Sequence, residues 1–166
     1  MFASRTDLLA RSNAQRLGQL AVPADMDMVP DEALRLAIDD GDLSGYTQAE
    51  QDALALALAA IDNALEDATA LVLSYGIPAT VQTALLARIT STIALYYLQG
   101  AEHITDDIRK AYDDAVDKLK AHAKGILNLL PIDESQPAPS DDMAIIESRP
   151  GRYGARRRHG DDCDFS

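Results

Sequence analysis

Few residues of this chain have a type and a spacing that could support chemistry. The histidines His103, His122 and His159 do not lie at spacings typical of metal ligands, either with each other or with Cys163, the single cysteine. Acidic doublets at positions 39–40, 106–107 and 113–114 are predicted at helix ends or on charged helix faces, where solvation accounts for them. The sequence contains no glycine-rich phosphate loop and no nucleophile elbow. We therefore expect a protein that is not an enzyme and that needs no cofactor.

One loop is similar to the start of a calcium-binding EF-hand loop. Asp40, Asp42 and Ser44 supply side-chain oxygens at alternate positions, and Gly45 follows where the sharp turn of such a loop needs glycine. The pattern is incomplete, because Gln51 occupies the position of the final bidentate glutamate. A plain turn between two helices is the favoured interpretation, and calcium binding is the alternative.

The C-terminal residues form a candidate site of another kind, one for a protein partner. Arginines and aromatic residues are interleaved there: Arg149, Arg152, Tyr153, Arg156, Arg157, Arg158 and Phe165. Arginine can bind carboxylates through paired hydrogen bonds, and aromatic side chains can fill pockets as anchors. A solvated charge cluster is the alternative for the arginine run. We expect this segment to become ordered only against a partner.

A long helix from Thr47 to Tyr75 is the element around which the rest must be arranged. Thr47 and Glu50 can form a capping box at its start, and Gly76 followed by Pro78 can end it. Apolar residues recur every three or four positions along one face: Leu54, Leu58, Ile61, Leu65, Ala68 and Val72. Such a face must be covered by other helices.

The other predicted helices can supply that cover. A helix over 79–99 should pack antiparallel to the long helix, with Ile89 near Ile61 and with Val81, Leu85 and Ile93 on the same face. Further helices are predicted over 106–124, over 31–39, and over the N-terminal segment as one helix or as two broken near Ser12. The predicted fold class is all-α: a small antiparallel helical bundle with long central helices and an extended C-terminal tail.

Composition changes along the chain and suggests three parts. Residues 1–130 should form the bundle, residues 131–142 a proline-rich linker, and residues 143–166 the docking tail. Residues 1–148 carry 10 Lys or Arg and 24 Asp or Glu, whereas residues 149–166 carry five Arg and three Asp. The acidic helical part of the chain, residues 1–130 and called the body below, is unsuited to binding nucleic acid. We expect no signal peptide and no membrane span, and the lone cysteine suits a reducing compartment.

Several short motifs follow one another along the chain: Phe2-Ala3, Asp7-Leu8, Ile93-Ala94-x-Tyr96-x-Leu98-x-Gly100, Arg109-x-x-Tyr112-x-x-Ala115 and Ala123-Lys124-Gly125. Taken in this order, they resemble the motifs of the head–tail adaptor family of Mu-type phages. The sequence Ser148-Arg149-Pro150, with Arg152 and Tyr153 after it, is similar to the family's C-terminal motif.

This resemblance implies a structural subunit of the virion, made in the host cytoplasm and placed in the phage neck. Such subunits form a homo-oligomeric ring of about twelve copies beneath the portal protein. The implied partners are the portal, neighbouring adaptor subunits and the next neck or tail protein, while DNA passes through the ring without specific binding. The alternative function is a cytoplasmic helical protein-binding module that binds calcium through Asp40, Asp42 and Ser44.

Overall fold

Six α-helices and no β-strand make up the regular structure of residues 1–100 and 104–130, the part of the chain that the computed structural model describes. The helices are α1 (Arg5–Arg11), α2 (Ala14–Ala21), α3 (Asp31–Ile38), α4 (Gln48–Ser74), α5 (Ala84–Leu98) and α6 (Asp106–Ala123). The all-α prediction is confirmed. The predicted linker and tail, residues 131–142 and 143–166, lie outside the described residues.

Side-chain caps start five of the six helices of the described residues, and α3 starts after Pro30 without one. Thr47 and Glu50 form a capping box, in which the Glu50 carboxylate accepts the Thr47 backbone N–H at 2.8 Å. Ser4 and Asp7 form a second box on α1. In both boxes the bonds from the capping residue's backbone N–H and then from its hydroxyl lower the pKa of the carboxyl group. This stabilisation is therefore present at neutral pH and is lost as the pH falls through the lowered pKa.

The N-terminal segment forms two helices rather than one. Asn13 accepts the Arg16 backbone N–H at 2.7 Å and thereby starts α2 just after Ser12 ends α1. Of the two alternatives that the sequence left open, the structure shows the one with a break near Ser12. Its physical cause is local, because Asn is among the best N-cap residues.

The long helix buries the face that its apolar spacing predicted. Leu54, Ile61, Leu65, Ala68 and Val72 are fully buried, and Leu58 is partly buried. Helix α4 packs on α5, α2 and α3, while α5 also packs on α6 and α1. Ile61 and Ile89 belong to the same aliphatic core, as expected.

The start of α5 was predicted wrongly. The helix begins at Ala84 and not at Ala79, because the Thr83 hydroxyl accepts the Leu86 backbone N–H and caps it there. Before that point the Val81 N–H donates to the Pro78 carbonyl in a turn. The buried face of α5 is made by Leu86, Ile89, Thr90, Ser91, Ile93 and Ala94.

Leu85 was also predicted wrongly. It was placed on the core face of α5, yet it is 44% exposed. The neighbouring Leu86 is fully buried instead, on the same face as Ile89 and Ile93, three and seven positions later.

The end of α3 places a non-glycine residue in the left-handed region. Asp40 has a φ of 54°, the Asp40 N–H donates to the Ala37 carbonyl, and the Gly41 N–H donates to the Leu36 carbonyl at 2.8 Å. These two bonds define a Schellman motif, in which glycine usually occupies the left-handed position. Aspartate tolerates that conformation better than most other residues.

We expect Thr90→Val to stabilise the protein. Thr90 is fully buried in α5, and its hydroxyl has no hydrogen-bond partner within residues 1–100 and 104–130. A buried hydroxyl without a partner costs about 1–3 kcal/mol, and valine has nearly the same shape. Thermal unfolding followed by circular dichroism should show a melting temperature raised by several degrees.

Thr92→Val is the matched control for this prediction. The Thr92 hydroxyl is part-exposed and donates to the Arg88 carbonyl at 2.9 Å, so its removal should bring no such gain. An unchanged or lowered melting temperature for Thr90→Val would contradict the prediction.

Candidate functional site

The partner-binding residues predicted in the tail lie outside the described part of the chain. These are Arg149, Arg152, Tyr153, Arg156, Arg157, Arg158 and Phe165. Their role stays a prediction. His103 and His159 also lie outside it, whereas the His122 Nδ1 is 3.2 Å from the Leu127 carbonyl oxygen. That contact supports the structural interpretation of His122.

The loop considered for calcium is organised by its own hydrogen bonds. The Asp42 carboxylate accepts the backbone N–H of Ser44 at 2.9 Å and its hydroxyl at 2.8 Å, and these bonds lower the pKa of Asp42. The side-chain amide of Gln51 donates to the carbonyls of Leu43 and Tyr46, both at 3.0 Å. A donor group therefore points to the carbonyl oxygens of this loop.

The surroundings of Asp40 give calcium no further support. Asp40 lies 3.9 Å from the Arg5 guanidinium, a fixed positive charge. No group of three or more His, Cys, Asp or Glu that could hold a metal ion occurs within the described ranges. The geometry is that of the plain turn favoured from the sequence.

Arg5 ties the N-terminal helix to the long helix. Its Nε donates to Asp62 Oδ1 at 2.7 Å and its Nη2 to Oδ2 at 2.6 Å, so the pair is bidentate. The hydrogen bond to Asp62 raises the pKa of Arg5 above its ordinary value. Paired geometry of this kind is stronger and more directional than a single charged contact.

Three tyrosines form a cluster where the end of α5 meets the beginning of α6. Tyr96 stacks on Tyr112 with ring centroids 4.0 Å apart, and Tyr97 lies 6.1 Å from both rings. Burial, a hydrogen bond with Tyr112 and the nearby charges of Asp67 and Tyr75 raise the pKa of Tyr97 to about 12. Tyr97 is 37% exposed and the other two rings are partly buried, so the cluster lies at an edge between core and surface.

A groove runs along α5, with α6 on one side and α1 and the start of α2 on the other. One part of it has a volume of about 230 Å³ and lies between Arg11, Arg16, Leu95 and Ile108. It continues past Thr92 and Ala111, which line both parts, to Arg88 and Lys118. Arg11 also borders a third depression, beside Asp7, Ala84 and Ala87. The groove thus has an apolar floor and a largely basic rim.

An acidic loop lies at the start of α4. Asp25, Met26, Asp27 and Met28 line a depression together with Thr47, Ala49 and Glu50. Both aspartates are exposed, and Met28 is 55% exposed. The loop therefore presents negative charge and flexible apolar side chains side by side.

Sequence reasoning missed the groove and the Arg5–Asp62 pair. The basic residues of the groove come from three separate parts of the chain, and Arg5 and Asp62 are 57 positions apart. The acidic loop did carry a signal, the alternation Asp-Met-Asp-Met at 25–28.

These observations define the class as a small all-α protein, in which α4 is the longest helix of the described residues. None of the helices within that part is long and apolar enough to span a membrane.

A family model described as Bacteriophage Mu, Gp36 matches residues 2–148, and the chain therefore belongs to that family. No curated protein and no solved structure matches the chain. The match confirms a Mu-type phage protein and supports a structural or morphogenetic role. It ends before Arg149, so every candidate docking residue of the tail lies beyond it.

Proposed function

We propose that this protein is a head–tail adaptor of a tailed phage. In this role it forms a homo-oligomeric ring beneath the portal, extends the DNA channel and joins the head to the next neck or tail protein. The observation that carries the proposal is the family match over residues 2–148. The all-α fold and the change from an acidic body to an arginine-bearing tail agree with it.

The fold suits a ring subunit for a physical reason. The cyclic contacts of a ring need rigid faces on each copy, and helices that share one core can present such faces. Here α4 and α5 share an aliphatic core whose largest side chains are fully buried. The tail, in this proposal, attaches the ring to the portal through its arginines and aromatic residues.

Mixing the purified full-length chain with portal rings tests this function directly. We expect negative-stain images to show an added ring of density on one face of the portal, coaxial with its channel. Portal rings that stay unchanged at saturating protein would contradict the adaptor role. A control mixture with the heat-unfolded chain separates specific attachment from adhesion.

The lining of a channel through which DNA slides should not bind the phosphate groups of the DNA. Residues 1–130 carry ten Lys or Arg against 19 Asp or Glu, so the body repels DNA as a whole. We predict that the chain ended after Pro139 shows no measurable binding to duplex DNA at physiological salt. A gel-shift assay is the measurement, and a clear shift would favour a nucleic-acid function instead.

A further inference from the structure

Most of the charged residues that line the groove along α5 are basic, although the body as a whole is acidic. Four of the ten basic residues within 1–130 line it, namely Arg11, Arg16, Arg88 and Lys118, against two of the 19 acidic ones. Its floor includes Leu85, which is 44% exposed, and Leu95 and Ile108, which are partly exposed. A basic rim over an apolar floor is complementary to a segment that carries both carboxylates and apolar side chains.

The acidic loop at residues 25–28 has that chemistry. Between Arg16 and Arg35 the chain contains four acidic residues and no basic one. Two of the acids alternate with the partly buried Met26 and the exposed Met28. Methionine is flexible and polarizable, so it fits irregular apolar depressions well. The aspartates can pair with the arginine and lysine heads along the rim.

The loop and the groove are lined by different residues of the molecule. The loop borders Thr47 and Glu50 at the start of α4. The groove is lined by α1, the start of α2, α5 and α6. None of the described residues lines both, so the loop of one copy does not lie in the groove of that same copy.

We propose that the groove of one copy receives the loop at residues 25–28 of a second copy. Two different faces then meet, so the contact is heterologous, and its repetition around a rotation axis closes a ring. This inference rests on the proposed ring and names the surfaces that build it. It also explains how an acidic body associates with itself, because a depression with a basic rim meets an acidic loop.

Cross-linking between two engineered chains tests the contact without any portal. One full-length chain carries Cys163→Ser and Met28→Cys, and the other carries Cys163→Ser and Ala111→Cys. Ala111 is exposed in the groove, and Met28 is exposed in the loop. The control chain carries Cys163→Ser and Asn63→Cys, at an exposed position on α4. Under mild oxidation we expect the disulfide between Met28→Cys and Ala111→Cys to form at least about tenfold faster than the disulfide between Met28→Cys and Asn63→Cys.

Charge reversal then tests whether the groove and the loop recognise each other. Arg88→Glu with Lys118→Glu in the Ala111→Cys chain should reduce the rate to that of the Asn63→Cys control. Asp25→Lys with Asp27→Lys in the Met28→Cys chain should restore it, since the charges are then exchanged across the contact.

A matched control changes the same amount of charge elsewhere. Arg35→Glu with Lys124→Glu, both exposed outside the groove, should leave the cross-linking rate within twofold of the unmodified pair. Circular dichroism confirms that each variant is folded.

Equal rates for Ala111→Cys and Asn63→Cys would overturn the proposal. So would faster linking of Met28→Cys chains to each other, which would indicate a symmetric contact. The outcome is distinguishable from that of the adaptor proposal, because portal attachment is measured separately. Portal attachment without this cross-link would overturn the inference alone, and the cross-link without portal attachment would contradict the adaptor role alone.

Discussion

Replacing Ile89 by Asp is expected to unfold the protein. Ile89 is 3% exposed and lies in the core that α5 shares with α4. A carboxylate buried there without a partner costs several kcal/mol, and a domain of this size has roughly 5–15 kcal/mol of total stability. The far-ultraviolet circular dichroism of the variant at 25 °C should lose most of its helical signal.

Leu85→Asp on the same helix is the matched control. It makes the same chemical change four residues earlier, but Leu85 is 44% exposed, so the charge stays in water. We expect its melting temperature to stay within a few degrees of wild type, because surface substitutions usually change stability by less than about 0.5 kcal/mol. A similar melting temperature for Ile89→Asp would refute the packing of α5, and unfolding by Leu85→Asp would refute its register.

Ending the chain after Pro139 is expected to abolish attachment to the portal while leaving the fold intact. The aliphatic core of the described residues is made by side chains between Phe2 and Leu130, and none of them is removed. Helical content and melting temperature should therefore be nearly unchanged. Co-sedimentation with portal rings should fall from complete to background.

A milder change separates the arginines from the rest of the tail. Replacing Arg156, Arg157 and Arg158 together by Ala should weaken attachment and reduce its dependence on salt, because charge pairs are screened by ions. Replacing Asp161, Asp162 and Asp164 by Ala is the matched control and should preserve attachment. If the truncated chain joins portal rings with wild-type affinity, the helical body carries the contact instead.

Two local features of the fold could be predicted from the sequence, because each depends on a few neighbouring residues. They are the Thr47–Glu50 box and the glycine stop at Gly76. The break at Ser12 could be predicted only as one of two alternatives. The buried face of α4 was also predictable, because its apolar residues keep the helical period.

Features that depend on choosing between local signals, or on distant parts of the chain, were not predictable. Pro78 and Thr83 can both mark a helix start, and only the structure shows that Thr83 does so. Leu85 and Leu86 are adjacent candidates for the edge of the buried face, and only the structure shows that Leu86 is buried and Leu85 exposed. The groove likewise needs α1, α5 and α6 to be placed together before Arg11 and Lys118 belong to one surface.

The position of α1 also has a consequence for the order of folding during synthesis. Helix α1 leaves the ribosome before α4 and α5, but it packs on α5, and Arg5 binds Asp62, which is 57 positions later in the chain. The helix is short, and isolated helices of that length are marginal in water. Its docking surface is incomplete until α5 has been translated, so a helix made before α4 and α5 is fixed in place only after them.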